Sequence, residues 1–301
     1  MLEAFFNNAE LQIMLVGAMV GTASSLVGTF LVLRGNSMLS DAISHSIVFG
    51  IVAVWLLTHH QSGPVQLIGA ALTGLLTVFL TELLASSRRM KQDAAIGLVF
   101  PALFSIGVLL LNLYANDVHI DTHTVLLGEI GFVWLDTASV LGYDVPQAVV
   151  SMTIMLTLNL AFVGFFFKEL KLSTFDPALA RALGFAPGVL FYALLMLTSS
   201  TAVAAFDAVG AVLFIAFAIV PPAAAYLLTD RLWLMLALGA LISTAASVSG
   251  YFLAVQWDVS IGGMMAVMTG VFLLLAFIAG PRYGIISQRV RRHRARGLAS
   301  S

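Results

Sequence analysis

Asp41 and His45 stand four residues apart in Ser40-Asp-Ala-Ile-Ser-His-Ser46, at the head of an apolar run long enough to cross a bilayer. On a helix that spacing turns a carboxylate and an imidazole toward the same side. Ionisable groups at membrane depth are costly, so such a pair marks a place that receives something charged. A carboxylate oxygen and a neutral imidazole nitrogen suit manganese, iron(II) or zinc, and a chain with no cysteine offers no thiolate to copper(I). Two ligands are too few for a tight site, so the others must come from another helix, a carbonyl, water or a second copy of the chain. Alternatively, Ser40 or Asp41 caps the helix N-terminus and a neighbouring hydroxyl satisfies His45.

Three further segments carry chemistry. In Phe175-Asp-Pro-Ala-Leu-Ala-Arg-Ala-Leu-Gly184, Asp176 suits an N-cap, Pro177 a first helical position and Gly184 a C-terminal stop. That helix is too short to span a bilayer. Phe175, Leu179, Leu183 and Phe185 are apolar enough to seat in a partner's groove or on lipid. The alternation His119, Asp121, His123, followed by Glu129, puts three candidate ligands on one face of an extended strand, as an outer gate or as ordinary loop polarity. Pro221-Pro222 removes two backbone donors inside an apolar run, which predicts a break or kink beside a pathway or inside the bundle. No G-x-x-x-x-G-K-[ST] is present and none of the three lysines follows a glycine, so nucleotide binding through a P-loop is excluded.

The elements that must position these groups are membrane helices. Of 301 residues, 60% are hydrophobic and 10% charged, with a mean hydropathy of +1.02, proportions that a soluble core and its solvated surface cannot share. The fold class is therefore all-α, a polytopic helical bundle forming one membrane domain over residues 1–301. Nine apolar runs are expected as spans, at 11–33, 38–57, 65–84, 94–114, 147–167, 187–206, 209–228, 233–254 and 260–280. The sixth and seventh are parted only around Asp207, so eight spans with one broken is the alternative. The first run is expected to be retained, since Met1 to Glu10 hold no Lys or Arg and no convincing cleavage site.

Charge tests the count. With nine spans and an outside N-terminus, all 14 Lys and Arg, from Arg34 through Lys168 and Arg231 to the tail ending at Arg296, fall on one side. The C-terminus is then cytoplasmic, and the basic tail 282–301 serves as a solvated anchor. Arg34 marks the inner start of the second span, and Asp41 and His45 lie on the order of 10 to 16 Å beyond it in a core of about 30 Å. Gly17 and Gly21, with Gly69, Ala70 and Gly74, offer small faces for close helix crossings.

With these residues in hand, the chain resembles an integral-membrane permease of the manganese/zinc/iron ABC importer family. The matching stretches run in order: Val32-Leu-Arg-Gly-Asn-Ser-Met-Leu-Ser-Asp-Ala-Ile-Ser-His45; Phe175 to Gly184; Asp207-Ala-Val-Gly-Ala-Val-Leu-Phe-Ile-Ala-Phe-Ala-Ile-Val-Pro-Pro-Ala-Ala-Ala225; and Gly280-Pro-Arg-Tyr-Gly284. The resemblance implies a homo- or heterodimer of permease subunits in a bacterial plasma membrane, with a cytoplasmic ATP-binding-cassette ATPase and an extracytoplasmic metal-binding protein as partners. It implies that Asp41 and His45 are transport-site ligands and that Asp176 to Gly184, with Arg181, form the ATPase-coupling helix. His119 to Glu129 is similar to the manganese branch, although His123 stands where an acid is expected.

The expected function is import of a divalent cation, manganese foremost with zinc or iron possible, by a subunit that is not itself an enzyme and holds no permanent cofactor. Its surroundings are lipid, with no nucleic-acid partner. The alternatives are a permease for chelated metal and an intramembrane metal hydrolase; the latter lacks an H-E-x-x-H.

Overall fold

The computed structural model describes residues 8–58, 64–87, 89–114, 130–140, 143–281, 284 and 287. His119, Asp121, His123, Glu129 and the basic tail from residue 288 onward lie outside the described residues.

Helices dominate: α1 Ala9–Leu33, α2 Met38–Thr58, α3 Pro64–Ser86, α4 Gln92–Tyr114, α5 Gln147–Phe165, α6 Phe167–Phe175, α7 Pro177–Ala182, α8 Pro187–Leu228, α9 Leu232–Trp257 and α10 Ile261–Ala279. Between α4 and α5, a 3-10 turn at Ile130–Phe132 and a hairpin of β1 Thr137–Val140 with β2 Tyr143–Pro146 add a small non-helical element, registered Ala138 to Val145. Among the described residues, eight helices are long and apolar enough to cross a membrane. They include both halves of α8, Pro187–Phe206 and Ala208–Leu228. α3 occupies the expected range 65–84 as a 23-residue helix whose described apolar stretch is the shorter Ala71–Ser86.

Helix ends follow local chemistry. Asn8 accepts from the amides of Glu10 and Leu11, and Ser260 from that of Gly263, satisfying donors that a helix start leaves open. Gly35 ends the turn after α1 at φ 72°.

No break falls at Pro221-Pro222, whereas the interruption expected around Asp207 is met three residues on, at Gly210. Both prolines are buried inside a continuous helical stretch, and the one non-helical residue within α8 is Gly210, at φ 74° and ψ 169°. Proline's own φ is helical, whereas Gly210 occupies a region that residues with a Cβ avoid. Straight, α8 would measure about 63 Å, twice the hydrocarbon core. The ring centroids of Phe206 and Phe214, eight residues apart, instead lie 5.9 Å from each other because the chain turns back at Gly210. The cost of the prolines is met by packing. Pro222 has no N–H for the Ala218 carbonyl, and that oxygen faces Gly28 of α1 so closely that a Cβ there would overlap it.

α1 runs through the centre. Gly17 and Gly21 lie against Ser247 and Ser243 of α9, a close crossing of small residues with no room for a methyl group. Gly74 of α3 meets Ser199 of α8 in the same way. Asn159 of α5 donates its amide to the Ala23 carbonyl at 3.2 Å and to the Thr201 hydroxyl at 3.0 Å, joining α5, α1 and α8 where lipid offers no partner.

Candidate functional site

α2 carries the pair. Asp41 lies in its first turn and His45 one turn later, with Asp41 Oδ1 3.4 Å from His45 Nε2. Two ligands about 2.1 Å from one ion and 3.4 Å apart subtend about 108°, an angle one metal accepts. The side chains are 31% and 32% exposed, so the pair sits at the rim of the bundle and not in its core. Ser40, one residue earlier, is fully buried with its hydroxyl unpartnered. It caps nothing, and the Asp41 carboxylate is directed at His45.

Depth is read from the neighbouring helix. α2 and α4 run side by side in the same direction: His45 stacks on Phe100 at 5.7 Å, meets Phe104 edge-on at 6.3 Å, and Gly107 abuts the backbone of Phe49. Phe100 and Phe104 lie about 12 to 18 Å along α4 from Gln92, roughly half the thickness of the hydrocarbon core. The two rings pack against the imidazole, one stacked and one edge-on. This packing was not foreseen from the sequence, although the i, i+4 spacing of Phe100 and Phe104, with Gly107 one turn further on, is its local signature. α2 is held from behind by α3, where the Thr77 hydroxyl donates to the Ser46 hydroxyl at 2.6 Å.

Among the described residues, no group of three or more His, Cys, Asp or Glu gathers to hold a metal. The pair therefore stands as two neighbouring candidate ligands, each about one-third exposed. A carboxylate oxygen and an imidazole nitrogen at this separation are groups of the kind that suit a divalent transition-metal cation.

The short segment forms as its sequence predicts. Asp176 accepts from the Leu179 amide at 2.9 Å, Pro177 opens α7, and Gly184, at φ 87°, closes it as the Phe185 amide reaches the Ala180 carbonyl at 3.0 Å. Ala180 is the buried face. Phe175, Leu179, Leu183 and Phe185 are exposed on the other, with Arg181 in the last turn. Arg34 links this segment to the α1–α2 corner through side-chain contacts with Ser173, Thr174 and Phe191. Burial pushes the Arg34 guanidinium below its ordinary value, from so high a start that it stays charged at physiological pH. Sequence alone marked Arg34 only as a topological charge.

Residues 8–280 match a family described as the ABC 3 transport family. The chain is 48% identical over 283 residues to the manganese transport system membrane protein MntD of Bacillus subtilis, covering 94% of this chain and 96% of that one. It is 49% identical over 276 residues to the zinc transport system membrane protein TroD of Treponema pallidum, covering 92% and 75% respectively. Among solved structures it resembles a chain of PsaBC from Streptococcus pneumoniae in complex with Fab, with a TM-score of 0.79, 26% identity, and coverage of 96% and 98%.

Proposed function

Because the chain belongs to the ABC 3 transport family, we propose from its site geometry that it receives a divalent transition-metal cation at Asp41 and His45 as the permease subunit of an ABC metal importer. The observation that carries the site is that pair: 3.4 Å apart, half-open, at mid-depth, and walled by Phe100 and Phe104. Manganese is the first cargo proposed, with zinc and iron(II) as competitors, since all three accept one carboxylate and one imidazole.

In this reading the basic ends of the helices face the cytoplasm, the N-terminus lies outside, and the home is a bacterial plasma membrane. An outer binding protein delivers the ion, which then meets Asp41 and His45. A second permease subunit, with its own pair turned toward this one, completes the shell, because each rim is open where a partner would close it. Separate cytoplasmic ATPases bury the apolar face of α7 and drive the change that exposes the ion inward. His119, Asp121, His123 and Glu129 are proposed as an outer gate.

Uptake of labelled manganese by the reconstituted complex tests the site. Asp41→Ala and His45→Ala should each lower the rate by at least the roughly 10- to 100-fold that loss of a ligand's outer-shell partner alone costs. Wild-type rates in both assembled variants would refute the assignment. Unlabelled zinc or iron(II) added in competition ranks the cargo.

A further inference from the structure

We propose that Arg34 is the strut through which motion of the ATPase-docking segment reaches the helix carrying Asp41 and His45. The inference rests on the function proposed above and adds a positioning residue to it. Arg34 Nη2 donates to Ser173 Oγ at 3.0 Å, and Nε donates to Thr174 Oγ1 at 3.3 Å. The guanidinium carbon lies 4.7 Å above the centre of the Phe191 ring. Ser173 and Thr174 form the last turn of α6, immediately before the docking helix α7, and Phe191 lies in the first turns of α8, immediately after it. One side chain therefore grips the chain on both sides of the docking segment.

At its other end Arg34 is built into a stiff corner. Its amide bonds the Phe30 carbonyl at 3.1 Å, the Gly35 amide that of Val32 at 3.0 Å, and the Asn36 amide that of Leu31 at 2.9 Å. The Leu39 amide then bonds the Asn36 carbonyl at 3.0 Å, so α2 starts directly from the corner and Asp41 follows within one turn. A push on α6 or α8 thus reaches the ligand helix through a short, fully bonded path. A charge serving only topology would keep its donors in water; this one is partly buried and gives two of them to hydroxyls. The acceptors are neutral, so the grip is directional without the depth of an ion pair. The flat guanidinium also stacks on Phe191 while its edge donates, a combination that a lysine ammonium does not reproduce.

The test is the number of manganese ions imported per ATP hydrolysed by the complete complex in proteoliposomes. Arg34→Ala should keep ATP hydrolysis within about twofold of wild type while uptake falls on the order of tenfold, the usual size of a coupling effect. Arg34→Lys should recover part of the ratio. If Arg34→Ala does not assemble, Ser173→Ala combined with Thr174→Ala, which leaves the corner intact, should lower the same ratio. An unchanged ratio in the assembled variants, or hydrolysis and uptake falling in step, overturns the strut. A wild-type complex that hydrolyses ATP but imports no metal overturns the proposed function instead.

Discussion

α1 and α2 are neighbours in sequence and opposites in design. Of the apolar stretch of α1, 72% is buried, against 39% for α2 and 28% for its partner α4. α1 is held by close contacts at Gly17, Gly21 and Gly28, the last against the Ala218 backbone, where a Cβ has no room. α2 presents Asp41 and His45, each about one-third exposed, from a rim beside the rings of Phe100 and Phe104. The contrast assigns rigidity to the centre and chemistry to an edge. In the function proposed above, a transport site must open and close, which suits side chains on a helix with an exposed face beside a helix locked by shape.

Substitutions that act on one region alone separate the two. The largest effect is expected from Gly28→Leu, because the new side chain would overlap the Ala218 carbonyl, a backbone atom that cannot yield without moving α8. It should cost about 3 kcal/mol or more and be seen as loss of folded protein on heating in detergent. The double variant Asp41→Ala/His45→Ala should do the reverse, abolishing uptake while shifting stability by no more than about 0.5 kcal/mol, as at half-exposed positions. A large fall in its thermal midpoint would show that the pair is structural and erase the contrast.

Intermediate effects are expected in the segment around α7, proposed above to dock the ATPase. Asp176→Ala removes the cap on α7 and should cost about 1 kcal/mol locally, read as weaker retention of the ATPase in a pull-down. Gly184→Ala forces a Cβ into a left-handed turn at a similar cost of about 1 kcal/mol and should give the same readout. The smallest effect is expected from Thr77→Val, which deletes the hydrogen bond to Ser46 between α3 and α2, worth about 0.6 kcal/mol between membrane helices. A larger loss of uptake than of stability there would show that α3 also positions the ligand helix.

Much of this was legible because its causes are local. The helix limits follow the nine apolar runs to within a few residues, and α7 begins and ends on the residues that cap it, Asp176 and Gly184. The small face of Gly17 and Gly21 is spent as its pattern suggests, against Ser247 and Ser243, although no pattern says which helix will arrive. The break in α8 falls where the sixth and seventh ranges are expected to part, near Asp207, and not at Pro221-Pro222. Two prolines are a louder signal than one glycine, yet the freed Ala218 carbonyl finds Gly28, and only Gly210 can adopt the backbone the turn needs. That trade depends on α1 lying alongside, nearly two hundred residues earlier in the chain.

By itself the sequence determined that this chain lives in a membrane, where its helices lie, and that Asp41 and His45 share a helical face. These follow from hydropathy and from spacings of four residues or fewer, which any helix converts into geometry. The tertiary structure decided that His45 faces Phe100 and Phe104, that the pair is open at the rim, and that Arg34 reaches Ser173 and Thr174. Each of these joins side chains from separate helices. Their meeting is set by which grooves accept which ridges, a property of the packed bundle and of no single segment.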